Sequence, residues 1–176
     1  LFILEVDHTV SAIIEIDGVD GPILDGISGP WAALSEQAGV LQMQAPRADL
    51  RARKRVEVRE KDRVMSIEPA DEFRVTCLIA FNHPMIGEQR REVRINPQDY
   101  SKEIAPARTF GFVEEIETLR RSGLARGGSL ENAIALTRDG MLNPEPLRFE
   151  DEFVRHKILD IIGDLALAGM PVLGHV

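Results

Sequence analysis

A histidine and an aspartate four residues apart, His156 and Asp160, have the types and spacing of a pair that could do chemistry. On a helix, positions i and i+4 share one face, with their Cβ atoms about 5–6 Å apart. Imidazole and carboxylate are both ligands that zinc accepts. Asp164 continues the same face one turn later, and Lys157 adjoins the pair. The spacing therefore fits a metal site, and it equally fits a solvated pair on a helix surface.

The segment that must position these groups, residues 149–164, has the pattern of a well-specified helix. Its start is acidic, and carboxylates there favour the positive end of the helix dipole. Apolar residues recur at helical spacing and would anchor the helix in a core: Phe153, Ile158, Leu159, Ile161, Ile162 and Leu165. Gly163 costs a helix roughly 1 kcal/mol relative to alanine, which suggests that another backbone or a substrate passes close.

The composition narrows the class of protein. A chain of 176 residues with 44% apolar and 28% charged residues is typical of a soluble globular protein with one or two domains. The net charge of −8 argues against a nucleic-acid partner, and no apolar run is long enough for stable insertion in a membrane. The single cysteine, Cys77, lies in an apolar strand-like run, which predicts a buried thiol and favours a cytoplasmic location. Because residue 1 is leucine, the sequence is interpreted as an internal fragment.

Local patterns predict the order of the elements. Residues 9–17 are predicted to form a strand, and a short helix is expected from Pro30 to Ala38, ending at Gly39. A domain boundary is expected near Pro46. Beyond it, we expect two hairpins, at 53–60/64–68 and 73–81/89–96, and then a helix at 96–104 broken by 107–112. A helix at 113–121, a loop at 127–129 and a strand at 133–137 are expected next, followed by the helix described above and a strand at 172–175.

Three segments resemble the second domain of the zinc-dependent UDP-3-O-acyl-N-acetylglucosamine deacetylases. They are ARTFGF (107–112), GLARGGSLENAI (123–134) and LRFEDEFVRHKILDIIGDLALAG (147–169), and AIIEIDG with PILDGISGPW further upstream resembles the end of the first domain of that family. The resemblance implies an α+β fold with two layered domains of similar plan, each a β-sheet with a helix pair, and an active site at their interface. Residues 1–45 would be the C-terminal part of the first domain, and residues 46–176 the second domain, truncated at its C-terminus.

The resemblance also implies roles at the reacting centre. His156 and Asp160 would be two of three protein ligands to Zn²⁺. Lys157 would lie at the diphosphate and scissile amide of the substrate. Thr109 would hydrogen-bond the tetrahedral intermediate, and Asp164 would orient a catalytic histidine. The third zinc ligand and the general base would belong to a Glu-His pair upstream of residue 1, and the catalytic histidine would lie downstream of residue 176, so the fragment alone is expected to be inactive.

Further residues would bind the substrate, a UDP-sugar that carries an acyl chain. Phe81 would stack on the uracil ring. Phe110, Phe112 and a glycine-containing loop would line the acyl-chain passage; the loop residues are Gly127, Gly128, Ser129 and Leu130. The remaining histidines are given no part in the site: His8 and His83 are expected at turns or on the surface, and His175 in a strand.

The reaction that the resemblance implies is hydrolysis of the N-acetyl group of UDP-3-O-(3-hydroxyacyl)-N-acetylglucosamine, the committed step of lipid A synthesis in Gram-negative bacteria. A monomer is expected. Two alternatives stay open at this point. One is a pseudoenzyme that binds the nucleotide sugar and acyl chain without turnover, and the other is a deacetylase fused to a further enzyme domain.

Overall fold

A computed structural model describes residues 13–15, 26–39, 41, 44, 46, 48–122 and 127–176. The helices are α1 (Gly29–Ala38), α2 (Pro97–Asp99, continued by a π-helical turn at Tyr100–Ile104), α3 (Val113–Arg121) and α4 (Glu152–Ala166). The strands are β1 (Leu50–Arg51), β2 (Val56–Glu60), β3 (Arg63–Ile67), β4 (Phe73–Ala80), β5 (Glu88–Arg94), β6 (Thr109–Phe112), β7 (Ala133–Leu136) and β8 (Val172–His175). Of the predicted strand at 9–17, residues 13–15 are described and form no strand, and the other positions lie outside the described residues.

The largest sheet has four strands in the order β1-β8-β4-β5. Strand β8 runs parallel to both β1 and β4, and β4 pairs with β5 in antiparallel register, with Val75 opposite Val93. Strands β2 and β3 form a separate antiparallel hairpin, and β6 and β7 form a parallel pair. The described part of the chain is therefore a mixed α/β structure with small sheets.

Helix α4 packs on one face of β4 and β5, because successive side chains of a strand point to opposite faces of the sheet. Val75, Cys77 and Val93 point inward and are buried, whereas Thr76 and Glu92 are not buried and hydrogen-bond each other across the strands at 3.2 Å. The helix contributes residues at helical spacing to the same core, namely Val154, Ile158, Leu159 and Ile162. One face of α4 is thereby fixed against the sheet, which fixes the direction of its polar side chains.

A second core, here called the aromatic core because it contains four phenylalanines, lies beside the first. Phe153 of α4 is fully buried here with Ile86, Ile134 and Leu136, and Phe81, Phe110 and Phe112 pack against this group. Strands β6 and β7 supply several of these side chains. The aromatic core therefore ties the start of α4 to the β6–β7 pair.

Most local predictions are confirmed to within a few residues. Both hairpins form, with the turn of the first at Lys61 and Asp62, and α1, α3, β7 and β8 lie where their patterns place them. The main helix begins at Glu152, three residues later than predicted, and continues to Ala166. None of the helices within the described ranges combines the length and apolar character needed to cross a bilayer.

One prediction about segment 107–112 is wrong in part. It was expected only to break the preceding helix, but residues 109–112 form strand β6, in parallel register with β7 from Thr109 opposite Ala133. A four-residue strand whose partner lies more than twenty residues away has no alternating local pattern, so its pairing comes from tertiary contacts.

Helix α1 is docked on the same core as α4. Trp31 and Ala32 pack against the first core. At the start of α1, Tyr100 donates a hydrogen bond from its hydroxyl to Ser28 Oγ at 2.7 Å, and the Ser28 N–H donates to the carbonyl of Ala105 at 3.2 Å. Residues from the N-terminal part of the sequence are thus anchored on the π-helical turn.

Gly26 lies against the backbone of Asn132. Its φ is +75°, and an added Cβ would lie 1.7 Å from the Asn132 carbonyl oxygen. We expect Gly26→Ala to lower the free energy of unfolding by about 2–4 kcal/mol, because left-handed backbone strain and a backbone clash add together. Urea unfolding followed by circular dichroism would measure the loss. Gly87→Ala is the control: its φ is +59° but its Cβ would meet nothing within 4 Å, so it should lose only the backbone part. Equal losses for both variants would contradict the close approach.

Candidate metal site

Helix α4 brings His156, Lys157 and Asp160 together. Nε2 of His156 lies 3.5 Å from Oδ1 of Asp160, and Nζ of Lys157 lies 2.9 Å from Oδ2. His156 is buried, whereas the side chains of Lys157 and Asp160 are each 41% exposed. The pair therefore lies at the edge of the core, where a bound group would contact both protein and solvent.

The orientation of His156 is set by a backbone carbonyl. Its Nδ1 lies 3.1 Å from the carbonyl oxygen of Ala107, and because a carbonyl can only accept, Nδ1 carries the proton. Burial is the main cause that lowers the pKa of His156 below its ordinary value of 6.5, and Asp160 acts in the opposite direction. The ring is thus neutral near pH 7, and Nε2, the nitrogen that lies near Asp160, carries no proton. A histidine that binds a metal needs such a free lone pair.

Lys157 is held by two neighbours. Besides its contact with Asp160, its ammonium nitrogen lies 5.2 Å from the centre of the Phe110 ring, within the range of a cation–π interaction.

Cys77 lies in the buried core nearby, and burial raises the pKa of its thiol above 9.0. The thiol therefore stays protonated, in agreement with the predicted inert cysteine.

The predicted aromatic residues form one cluster beside His156. Phe110 makes edge contacts with the rings of His156, Phe153 and Phe81 at centroid distances of 6.4, 5.0 and 6.0 Å. Phe112 contacts Phe81 at 6.4 Å. These contacts place an apolar, aromatic surface next to the polar pair.

His83 extends the aromatic cluster and is buried, not on the surface. Its ring contacts Phe112 at 5.6 Å, its Nδ1 accepts from the Met85 N–H at 3.2 Å, and its Nε2 donates to the Thr137 carbonyl at 2.8 Å. The expectation of a turn is confirmed, since the His83 carbonyl accepts from the Ile86 N–H. Its role is to join the end of β4 to the β6–β7 pair.

Thr109 begins β6, and the glycine-containing loop leads into β7, the strand that pairs with β6. Thr109 opens β6 opposite Ala133, and Ser129 accepts the backbone hydrogen bond of Ala133 at 3.0 Å. Two buried asparagines shape the loop: Asn132 Nδ2 donates to the carbonyl of Gly127, and Asn143 Nδ2 donates to that of Leu130, both at 2.8 Å. Gly127, Ser129 and Leu130 are exposed and Gly128 is partly buried, so the loop presents an open surface.

Asp164 lies one turn beyond Asp160 and is exposed. Within the described part of the chain its carboxylate forms no hydrogen bond or ion pair.

His175 ends strand β8, as predicted. Its Nε2 lies 2.8 Å from Thr76 Oγ1, on the opposite side of the sheet from α4. His8 lies outside the described residues.

The donor set fits zinc but does not complete a site. His156 offers an unprotonated nitrogen and Asp160 an accessible carboxylate oxygen, both of which zinc accepts. Among the described residues, no group of three or more histidine, cysteine, aspartate or glutamate side chains could hold a metal ion. A site with three protein ligands therefore needs a group from beyond those residues.

Pattern reasoning missed a buried ion pair near this site, Arg108 and Glu152. Their side chains are 3% and 0% exposed, and Arg108 Nε lies 3.0 Å from Glu152 Oε1. Glu152 was assigned to the acidic helix start and Arg108 to a break between helices. Glutamate at the first turn of a helix is usually solvated, so no sequence signal marked this one as buried.

The low pKa of Glu152 predicts an effect of pH on stability. Burial raises the pKa of this carboxyl, but hydrogen bonds from Arg108 and Arg148 outweigh burial and hold it below 4.5. Because the folded pKa is lowered, the stabilisation is present above the unfolded pKa and is lost as pH falls through the folded value. We expect Glu152→Gln to lower the free energy of unfolding by about 1–3 kcal/mol at pH 7 and by progressively less below about pH 4. Urea titrations across that range would test this, and a pH-independent difference would contradict it.

Taken together, the described residues form a mixed α/β protein that presents a histidine and a carboxylate as candidate metal ligands beside an aromatic surface. A family model described as LpxC, UDP-3-O-acyl N-acetylglycosamine deacetylase, matches residues 1–176. The chain therefore belongs to this family.

Curated relatives agree with the family match. The chain is 47% identical to a protein of Myxococcus xanthus over 97% of its own length, and 44% identical to one of Syntrophotalea carbinolica over its whole length. A protein of Cellvibrio japonicus is 47% identical over 93% of the chain. Each relative is named UDP-3-O-acyl-N-acetylglucosamine deacetylase. The chain spans 57%, 60% and 54% of the lengths of these relatives.

Proposed function

We propose that the protein containing this chain is a zinc-dependent amide hydrolase. It removes the N-acetyl group of UDP-3-O-(3-hydroxyacyl)-N-acetylglucosamine in the cytoplasm, as a step of lipid A biosynthesis. The observation that carries the proposal is the orientation of His156, whose Nε2 faces Asp160 at 3.5 Å in a chain that belongs to the deacetylase family. Residues 1–45 would complete a first domain, and residues 46–176 would form most of the second.

Each polar group at the site has a distinct task. His156 and Asp160 bind Zn²⁺ together with a further ligand from outside the described residues. When bound, zinc would lower the pKa of a water molecule towards about 7 and polarise the amide carbonyl. The Thr109 hydroxyl, which forms no hydrogen bond among the described residues, donates to the oxyanion of the tetrahedral intermediate.

Two further charged residues, Lys157 and Asp164, have separate tasks: Lys157 binds the substrate, and Asp164 orients a histidine that carries a proton. Lys157, already placed beside Asp160 and Phe110, binds the diphosphate and the scissile amide. Asp164 is exposed and available to orient a catalytic histidine from beyond the described residues.

The aromatic surface and the loop bind the rest of the substrate. Phe81 stacks on the uracil ring. Phe110 and Phe112, with the exposed loop 127–130, line a passage for the acyl chain. The aromatic contacts support this assignment. The phenylalanine cluster contacts His156 through Phe110, so an acyl chain bound along the cluster would bring the amide next to the metal ligands.

The proposal is tested by acetate release from the UDP-sugar substrate in the full-length protein. We expect Thr109→Ala to lower kcat about 100-fold with little change in KM, since the hydroxyl bonds a charge that exists only after attack. Thr118→Ala, an exposed threonine on α3, is the control and should leave kcat unchanged. A Thr109→Ala enzyme with normal kcat and raised KM would remove that role. A wild-type protein that binds zinc and substrate but releases no acetate would overturn the proposed function.

A further inference from the structure

The buried carboxylate of Glu152 has no part in the chemistry above, although four hydrogen bonds converge on it. Oε1 accepts from the backbone N–H and from Nε of Arg108, both at 3.0 Å. Oε2 accepts from Nη2 of Arg108 at 3.1 Å and from the backbone N–H of Arg148 at 2.7 Å. The paired guanidinium and carboxylate planes fix the direction of the carboxylate.

A single peptide group, between Ala107 and Arg108, connects Glu152 with His156. Its N–H donates to Glu152 Oε1 at 3.0 Å, and its carbonyl accepts from Nδ1 of His156 at 3.1 Å. Glu152 and His156 are four residues apart on α4 and therefore lie one above the other on the same face. Because the peptide group is planar and trans, fixing its N–H also fixes its C=O.

We propose that Glu152 is a positioning residue for His156 and acts through the Ala107–Arg108 peptide group. A carboxylate that accepts from the N–H polarises the peptide and strengthens its carbonyl as an acceptor. The carbonyl then holds the proton on Nδ1 of His156, which leaves the lone pair of Nε2 free for the metal that it would bind. Histidine ligands commonly donate their second N–H directly to a carboxylate or a carbonyl. Here the carboxylate lies one peptide group further away.

The same contact sets the position of Thr109. Arg108 stands between Ala107 and Thr109, and its side chain also donates to the carbonyl of Pro146 at 3.0 Å. Segment 107–109 is thus tied to α4 at two points, one helical turn apart. A shift of this peptide would move both the histidine and the start of β6.

The inference rests on the proposed function because it takes His156 as a metal ligand. Its test is the zinc dissociation constant of the full-length protein, measured by competition with a chelator. We expect Glu152→Gln to weaken zinc binding about tenfold or more, the usual size of an effect on a partner of a ligand. Arg108→Lys keeps the carboxylate and the backbone N–H but loses the paired guanidinium contact, so it should lower stability and weaken zinc binding less than Glu152→Gln does.

Asp151 and Arg155 provide a matched control. They form an ion pair at the same end of α4, with 2.5 Å between Arg155 Nε and Asp151 Oδ1, but their other ionic partners are Arg91 and Glu103 and not segment 107–109. Asp151→Asn should lower stability without weakening zinc binding. If it weakens zinc binding as much as Glu152→Gln, general loosening of the helix explains the effect and the inference fails.

A second measurement uses the wild-type protein, so it does not depend on whether a variant folds. Hydrogen exchange of the wild-type protein should show the Arg108 amide protected to the same degree as the amides of α4, because its acceptor is buried. Exchange as fast as that of an exposed loop would overturn the inference. Wild-type protein that binds no zinc would instead overturn the proposed function, whereas tight zinc binding that Glu152→Gln leaves unchanged would overturn only the role of Glu152.

Discussion

Replacing His156 with alanine in the full-length protein is expected to abolish stoichiometric zinc binding and to reduce acetate release to near background. His156 would supply a directed nitrogen lone pair, and the 3.1 Å bond to the Ala107 carbonyl holds the ring in place for it. Alanine offers no ligand, so the metal loses one of its directed protein donors. The loss should exceed the roughly 10–100-fold change typical of residues that only support a ligand.

Lys157→Ala is the companion variant for this experiment. Lys157 is the next residue on the helix and points about 100° away from His156, so it can serve the substrate without binding the metal. We expect full zinc content with impaired substrate binding and turnover. Metal analysis after dialysis separates the two variants. Zinc lost from Lys157→Ala but kept in His156→Ala would reverse the roles proposed here.

Phe153→Ala should produce the largest loss of stability among the single changes considered. The ring is 0% exposed, contacts Ile134 and Leu136 in the aromatic core, and meets Phe110 edge-on at 5.0 Å. Truncation of a fully buried phenylalanine typically lowers the free energy of unfolding by about 3–5 kcal/mol, because the cavity closes only in part. Urea unfolding would measure the loss.

Phe149→Ala serves as the control for that variant. Phe149 lies one turn earlier and is only partly buried, with the Arg155 guanidinium carbon 4.0 Å from its ring centre. Its truncation removes less buried area and one cation–π contact, so the loss should be clearly smaller. Similar losses at both positions would show that the aromatic core collapses around the missing Phe153 ring.

Features set by local pattern were predictable from the sequence. The acidic start and apolar spacing of residues 149–164 indicated α4 and its His156–Asp160 pair, and alternation indicated the β4–β5 hairpin. The same local logic failed for β6, whose four residues take their conformation from β7. It also failed for Glu152, because a carboxylate at a helix start looks the same in sequence whether it faces water or a buried arginine.

The direction of individual side chains depended on contacts between distant residues. Nothing in the spacing indicated that Nδ1 of His156 would meet the carbonyl of Ala107, forty-nine residues earlier. Likewise, Lys157 is predicted beside the pair, but its contact with the Phe110 ring follows from the packing of β6 against α4. Sequence reasoning therefore reached the candidate ligands and missed the groups that orient them.

The position of β8 has a consequence for how the chain folds during synthesis. This strand is the last of the described strands along the chain, yet it lies between β1 and β4, bonded to residues made about 120 and 100 positions earlier. Within the described sheet, β1 pairs with β8 alone. While a ribosome extends the chain, β4 and β5 can pair early, but one edge of β4 and one edge of β1 must wait for residues 172–175 to emerge. Such long-range parallel pairing is slow, and open strand edges invite contacts with other chains. We therefore expect nascent chains paused before residue 172 to be more prone to aggregation than chains in which β8 has paired.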